Sequence, residues 1–286
     1  MTHRQDIVVG FDGSAASRDA VAWAIKGART HDLPLTLVTV VPEGAPQDDV
    51  DAARAALDTL ATEAREFVPG TDVSTLVERG DGAEVLSRMS QKARLVVIGR
   101  HVEDHRVGGR LGAVSDGLPG HALCSVLVHK PRSDSWSDPS QQVTPRSRVL
   151  VGLDTSEYAG IAALDAAVVA NGLDLPVHVM VGISAFDGQE ERAREQTDLD
   201  MAWLRSLFPG LRIDAEFVEG DPADLLVERS ADSDLLVIGK RGVGRFASMM
   251  SQLGRVAQSV LPRAACSVLL VPFRDDPRLS DRRTLA

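Results

Sequence analysis

The sequence repeats itself once, so any fold proposed for the first copy must also suit the second. The stretch IVVGFDGSAAS at 7–17 matches VLVGLDTSEYA at 149–159, and Asp154 follows Asp12 by 142 residues (154 − 12). Four further matches keep the same order at offsets of 140 or 142: HDLPLTLVTVV with LDLPVHVMVGI, GDGAEVL with GDPADLL, RLVVIGR with DLLVIGK, and LCSVLVHK with ACSVLLVP. A repeat of this length predicts a tandem pair of domains.

The repeat divides the chain into four parts. The two copies occupy 1–130 and 147–273. Between them, 131–146 (PRSDSWSDPSQQVTPR) is polar and has no hydrophobic period, which predicts a linker. The end of the chain, 274–286 (RDDPRLSDRRTLA), is highly charged and predicts a flexible, disordered tail.

Within each copy, short apolar runs alternate with alanine-rich stretches of helical spacing. In the first copy the predicted strands are 5–10, 34–41, 72–77, 94–98 and 125–129, and the predicted helices are 15–30, 49–67, 82–92 and 113–122. Continuous runs such as LVVI are typical of strands buried on both faces of a parallel sheet. The pattern predicts two tandem doubly wound α/β sandwich domains of Rossmann-like type, each with a mostly parallel five-stranded sheet.

Composition narrows the class of protein further. The formal net charge of −10 argues against a nucleic-acid partner, which would require a basic face. No N-terminal targeting signal is visible, and the apolar runs are shorter than the roughly 20 residues of a membrane span. Cys124 and Cys266 occupy equivalent places without metal-ligand spacing, so we expect two buried thiols rather than a redox pair. A cytoplasmic protein without a membrane partner is expected.

Each copy places an aspartate after its first strand and a glycine-bearing basic loop after its fourth. Doubly wound sheets bind ligands at the carboxyl ends of their strands, and a loop entering a helix N-terminus suits phosphate. A simpler interpretation is also open: the glycines only turn the chain, and Asp12 and Asp154 form Asx turns before a helix. Ser14 and Ser156 are the predicted N-caps of that helix.

Together these features resemble the universal stress protein family, through the aspartate of VGFDGS, the GD[GP]A element and the pattern VVIG…LG…CSVLV. The resemblance covers both copies and implies the adenine nucleotide alpha hydrolase-like form of the fold. The nucleotide-binding branch of that family carries G-x2-G-x9-G-[ST] after the fourth strand, and this loop holds the phosphates. The first aspartate and a backbone group of the second strand hold ribose and adenine.

The first copy keeps the length of this motif but loses part of its chemistry. Gly99 and Gly112 have the family spacing, but Val102 stands at the second glycine and Ala113 at the hydroxyl. Val102 is β-branched and therefore disfavours a positive φ. Ser115, two residues after Ala113, is the nearest replacement donor.

The second copy changes the motif in a different way. Gly239 and Gly242 are intact, but eleven residues instead of nine precede Gly254 (254 − 242 − 1). Arg255 stands where the hydroxyl residue belongs. It would either clamp a phosphate bidentately or fill the site with its own side chain. With its glycine pair retained, the second copy is slightly favoured as the binding half.

On the second strand, Val40 matches the adenine-contacting position and Gly182 is its counterpart. The candidate nucleotide-binding residues are thus Asp12, Val40, Gly99, Gly112, Ser115, Asp154, Gly182, Gly239, Gly242, Gly254 and Arg255.

The resemblance implies a stress-response protein with ATP or AMP as a signal or conformational ligand, with or without Mg²⁺. No catalytic base or metal-binding carboxylate pair can be named, so slow ATP hydrolysis is the most that we expect of it as an enzyme. The alternative is a family member that binds no nucleotide and acts as an interaction or assembly module. The resemblance also implies that the two halves pair as a pseudo-dimer through their last strands, 125–129 and 267–271, and that two chains form a homodimer.

Overall fold

A computed structural model describes residues 6–100, 111–130, 148–154, 157–182, 190–241, 253–279 and 282. The chain forms two compact units, Met1–Pro131 and Arg132–Ala286, and each is treated separately below. The predicted linker, 131–146, lies outside the described residues.

The described part of the first unit alternates five strands with four helices. In chain order these are β1 (Ile7–Gly10), α1 (Ala15–His31), β2 (Leu35–Val41), α2 (Gln47–Phe67), β3 (Val73–Arg79), α3 (Gly82–Met89), β4 (Leu95–Gly99), α4 (Ala113–His121) and β5 (Ser125–His129). The strands pair in parallel in the order β3-β2-β1-β4-β5. The order reverses between β1 and β4, so the switch point lies at their carboxyl ends.

The second unit repeats this arrangement. Its described elements are β6 (Val149–Leu153), α5 (Glu157–Leu173), β7 (Val177–Gly182), α6 (Glu190–Leu207), β8 (Ile213–Val218), α7 (Pro222–Arg229), a 3-10 turn (Ser230–Asp232), β9 (Leu235–Gly239), α8 (Arg255–Val260) and β10 (Ser267–Val271). The parallel strand order is β10-β9-β6-β7-β8. The predicted tandem α/β fold with mostly parallel sheets is confirmed.

The strands form the core of each unit, and the helices cover them on both faces. Central strand residues such as Val9, Val97 and Val151 are fully buried, which accounts for their continuous apolar runs. Right-handed crossovers place α1 and α2 on one face of the first sheet and α3 and α4 on the other. Among the described residues, no helix is both long and apolar enough to cross a membrane.

The chain end packs onto the second unit where it is described, at residues 274–279 and 282, so the prediction of a disordered tail was wrong for these residues. The indole nitrogen of Trp203 donates to the carbonyl oxygen of Arg278 at 3.1 Å. The guanidinium of Arg282 forms two hydrogen bonds with the Asp200 carboxylate, at 2.6 and 2.8 Å, and both side chains are buried. Arg282, a charged residue of the predicted tail, is therefore paired with Asp200 of α6 and is not solvated.

Candidate functional site

Asp12 lies directly after β1, at the switch point of the first unit. Its Oδ1 accepts a hydrogen bond from the backbone N–H of Ser14 at 2.9 Å, which is an Asx turn. Gly13, between them, has a φ of 82°. The Ser14 hydroxyl then accepts from the backbone N–H of Ser17 and caps α1, as predicted. Asp12 therefore shapes the entry into α1, and its side chain remains exposed.

The surroundings of Asp12 favour its charged form. Partial burial raises the pKa of this carboxyl, but hydrogen bonds from the side chains of Ser14 and Ser17, and from the backbone of Ser14, more than offset that effect. The pKa of Asp12 consequently lies below its ordinary value. An ionised, exposed carboxylate is a strong acceptor for hydroxyl groups such as those of a ribose.

Gly99 ends β4 and lies against the first turn of α1. A Cβ on Gly99 would be 2.5 Å from the carbonyl carbon of Ala16 and 2.6 Å from the backbone nitrogen of Ser17. No real side chain fits at such distances. Packing of β4 against α1 therefore explains this glycine without any ligand.

The start of α4 lies beside the end of β4. The Ser115 hydroxyl donates to the carbonyl oxygen of Gly99 at 3.3 Å, and Ser115 is buried. Gly112 is the N-cap of α4, and no side chain in the described part of the chain caps this helix. The backbone N–H groups of its first turn consequently have no side-chain acceptor there.

These contacts bring Asp12, Gly99, Gly112 and Ser115 to the carboxyl ends of β1 and β4. Val40 lies two residues beyond Val38 on β2, and the carbonyl oxygen of Val38 accepts from the backbone of Phe11 at 2.8 Å. Val40 thus borders the same end of the sheet. The loop residues 101–110, including Val102, lie outside the described part of the chain.

In the second unit the contacts between the end of β9 and the start of α8 are different. The backbone N–H of Gly254 donates to the carbonyl oxygen of Lys240 at 2.7 Å, and Lys240 itself is buried. Gly254 is the N-cap of α8, which has only six residues. Gly239 ends β9, and a Cβ there would lie 2.8 Å from the carbonyl oxygen of Arg241. Gly242 lies outside the described residues.

Arg255 is engaged with a carboxylate of its own unit. Its Nη1 donates to Oδ2 of Asp221 at 2.9 Å, while Oδ1 of Asp221 accepts from the backbone N–H of Ala223 and caps α7. The hydrogen bond from Arg255 is the largest cause of the lowered pKa of Asp221. A phosphate that used Arg255 would therefore compete with Asp221.

The strand-2 position differs between the units together with its neighbour. Gly182 ends β7, and a Cβ on it would lie 3.0 Å from Cγ of Pro222, the first residue of α7. The first unit has Val40 in place of Gly182 and Gly82 in place of Pro222. The larger residue of this pair is thus on the strand in the first unit and on the helix in the second.

Asp154 directly follows β6 and is half-buried, in the place that Asp12 has after β1. Residues 155 and 156 lie outside the described part of the chain, and the predicted N-cap Ser156 is one of them.

The sequence did not reveal a charged cluster on β7 and β8. Nδ1 of His178 lies 2.5 Å from Oδ2 of Asp214, and its Nε2 lies 3.1 Å from Oε2 of Glu216. Arg229 also donates to Glu216, at 2.7 Å. Asp214 and Glu216 are two residues apart on one strand face, a signal that becomes informative only when the register with His178 is known. The cluster begins at the amino half of β7, away from the switch point.

The fold, with a switch point at the carboxyl ends of the central strands of each unit, defines a tandem α/β protein of the doubly wound class. The chain belongs to the universal stress protein family, because the model of the "Universal stress protein family" matches residues 3–130 and 145–272. It is thus a tandem-domain universal stress protein.

Similar proteins support this membership. Universal stress protein Rv2623 of Mycobacterium tuberculosis is 30% identical over 299 residues, which cover 92% of this chain and 95% of that protein. Universal stress protein Rv2005c of the same organism is 30% identical over 300 residues, covering 92% and 96%. The crystal structure of a universal stress protein from Archaeoglobus fulgidus superimposes with a TM-score of 0.70 at 15% identity, over 95% of this chain and 99% of that one. This last likeness shows the common fold.

Proposed function

We propose that this protein is a stress-response protein that binds an adenine nucleotide, ATP or AMP, at the switch point of the first unit. The supporting observation is the position of Asp12. Its carboxylate is exposed and held in the ionised form, and it lies at the same end of the sheet as the N-terminus of α4. A nucleotide offers hydroxyls to the first group and phosphates to the second.

Each residue then has a separate role. Asp12 accepts hydrogen bonds from the ribose, and the backbone N–H groups after Gly112 donate to a phosphate. Val40 supplies a backbone contact and an apolar wall for the adenine. Gly99 keeps β4 close to α1, so that these groups converge.

The contacts of Arg255 weigh against the second unit, which the sequence slightly favoured. Arg255 is held by Asp221, and α8 has six residues against the nine of α4. A phosphate at this corner would have to replace an existing ion pair. We therefore propose the first unit as the nucleotide-binding half.

The test begins with freshly purified protein, denatured so that any retained nucleotide is released and identified by chromatography. Thermal unfolding with added ATP or AMP, with and without Mg²⁺, follows. We expect a rise in melting temperature that Asp12→Ala removes and Asp154→Ala retains. Asp12→Asn is the matched variant, since it keeps an acceptor for the Ser14 turn but loses the charge. Absence of both released nucleotide and a thermal shift at millimolar ATP would refute the proposal.

A second candidate function, an interaction or assembly module without nucleotide, is favoured by the second unit alone. There the Asp221 carboxylate already binds the Arg255 guanidinium that a phosphate would use. If neither unit binds nucleotide, this candidate replaces the first. Two family domains in one chain fit a pseudo-dimer. Sedimentation velocity distinguishes this monomeric form from a homodimer of two chains.

A further inference from the structure

A groove separates α1 from α2 on the outer side of the first unit. Its cavity volume is about 270 Å³, and its apolar lining includes Ile25, Leu60 and Phe67. Phe67 has 62% of its surface exposed, which is unusual for a phenylalanine. Among the described residues, the charged side chains that line the groove are Arg18, Lys26 and Glu63.

The same place in the second unit is filled by the C-terminal segment. The equivalence of the helices is fixed by one conserved contact within the repeat: Arg65 donates to the carbonyl oxygen of Val73, and Arg205 donates to that of Ile213. Both pairs are 140 residues apart (205 − 65 and 213 − 73). The segment that ends with residue 282 therefore lies on the counterpart of the open groove.

Three positions in the lining of the filled groove of the second unit show how it binds the C-terminal segment. Asp200 stands at the position of Leu60 and binds Arg282. Trp203 stands at the position of Glu63 and donates to a backbone carbonyl oxygen of the segment. Gly160 stands at the position of Arg18, where a Cβ would lie 2.7 Å from Nη1 of Arg282. An arginine-bearing segment that is helical at Arg278, Leu279 and Arg282 thus fits this helix pair.

The open groove has the opposite charge preference. Leu60 removes the carboxylate that receives an arginine. Arg18 adds a cationic side chain at the position where the second unit has Gly160 next to the guanidinium of Arg282. Glu63 replaces the indole donor with an acceptor, which suits a backbone N–H of the bound segment. The position is therefore built for an acidic side chain beside an apolar one.

We propose that the α1–α2 groove is a docking site for an acidic peptide segment of a partner protein. An apolar side chain of the segment packs on Leu60 and Phe67, and a carboxylate pairs with Arg18 and Lys26. This surface lies between the two helices, outside the corner proposed for nucleotide. The two proposals are independent of each other.

Two fluorescently labelled peptides test the charge preference by fluorescence polarisation on the intact protein. One has the sequence of residues 274–282, RDDPRLSDR, and the other is the same peptide with Arg278→Glu and Arg282→Glu. We expect saturable binding of the glutamate peptide, about tenfold tighter than that of the arginine peptide. Equal binding, or none, overturns the proposal. Preference for the arginine peptide also overturns it, and points to the C-terminal segment of a second copy as the occupant.

Variants locate the binding to the groove. Lys26→Glu and Arg18→Glu should each weaken the glutamate peptide about fivefold or more. Lys26 serves as the second variant because Arg18 also stacks over the Phe11 ring, 5.7 Å from its centroid. Arg54→Glu is the matched control, since it makes the same charge change on an exposed part of α2 outside the groove. An equal loss in the control would assign the effect to net charge and refute the site.

Leu60→Asp provides the reciprocal test. It installs the residue that the second unit has at this position, so the preference should move toward the arginine peptide. Retained preference for the glutamate peptide would contradict the assignment. Melting curves of each variant establish that the first unit is folded. Nucleotide release by the same variants reports separately on the proposed function.

Discussion

Gly99 and Gly44 both have φ values outside the left-handed region, yet their surroundings differ completely. A Cβ on Gly99 would lie 2.5 Å from the backbone of Ala16, whereas nothing lies within 4 Å of a Cβ on Gly44. We expect Gly99→Ala to lower the free energy of unfolding by about 3 kcal/mol, because backbone must move to admit the methyl group. Gly44→Ala should change it by about 0.5 kcal/mol or less. Urea denaturation measures both, and equal stabilities would show that packing does not require Gly99.

His129 gives the first unit a defined response to acid. Burial lowers the pKa of His129 from 6.5 to about 4. Between these two pH values the unfolded chain binds a proton at His129 that the folded chain does not bind. Stability is therefore lost as the pH falls from 6.5 through 4. The loss should reach about 2–3 kcal/mol.

The repeat supplies the control for this prediction, because Val271 occupies the same place in the second unit. His129→Val should remove this part of the pH dependence. Urea denaturation at pH 7.5 and pH 5 compares the two proteins. The same difference in both would assign the acid sensitivity to other groups.

The sequence predicted the position of several site residues but not their partners. Asp12 was expected to form either a nucleotide contact or an Asx turn, and the turn is present. The bond between the Ser115 hydroxyl and Gly99 could not be foreseen. It depends on how α4 is placed against β4, and periodicity does not specify that placement.

At the scale of elements, the buried pair between α6 and the C-terminal segment should contribute strongly to stability. Asp200→Ala would leave the Arg282 guanidinium buried without its carboxylate, or release the segment. We expect a loss of about 3 kcal/mol. Asp198→Ala, an exposed change on the same helix, is the control and should have little effect.

Tryptophan fluorescence provides a second readout for this variant. Trp203 is fully buried and bonded to Arg278, so release of the segment should shift its emission to longer wavelength. Unchanged emission and stability in Asp200→Ala would contradict the role given to this pair.

The strands and helices could be predicted because their apolar periods are local. The predicted helix 49–67 corresponds to Gln47–Phe67, and the predicted strand 94–98 to Leu95–Gly99. The packed chain end could not be predicted in the same way. Arg282 and Asp200 are 82 residues apart, and nothing in the local composition of 274–286 distinguishes a paired arginine from a solvated one.

At the scale of the whole molecule, the equivalent cysteines offer one probe for each unit. Cys124 and Cys266 are both buried, and neither forms a disulfide in the described part of the chain. Neither thiol should react readily with a disulfide reagent in the native protein, because access requires opening of the fold. In urea, Cys266→Ser should report the unfolding of the first unit, and Cys124→Ser that of the second. Rapid reaction of either thiol in buffer would contradict the burial.

The contact between Gly182 and Pro222 has a consequence for the history of the duplication. In the other copy the same two positions hold Val40 and Gly82, so each copy is compatible with its own pair. A recombination that transferred only the strand would bring a valine against Pro222, or leave two glycines facing each other. Chimeras should therefore tolerate exchange of strand and helix together, but not of the strand alone. Such joint divergence limits tolerated exchange between the copies to segments that carry both positions.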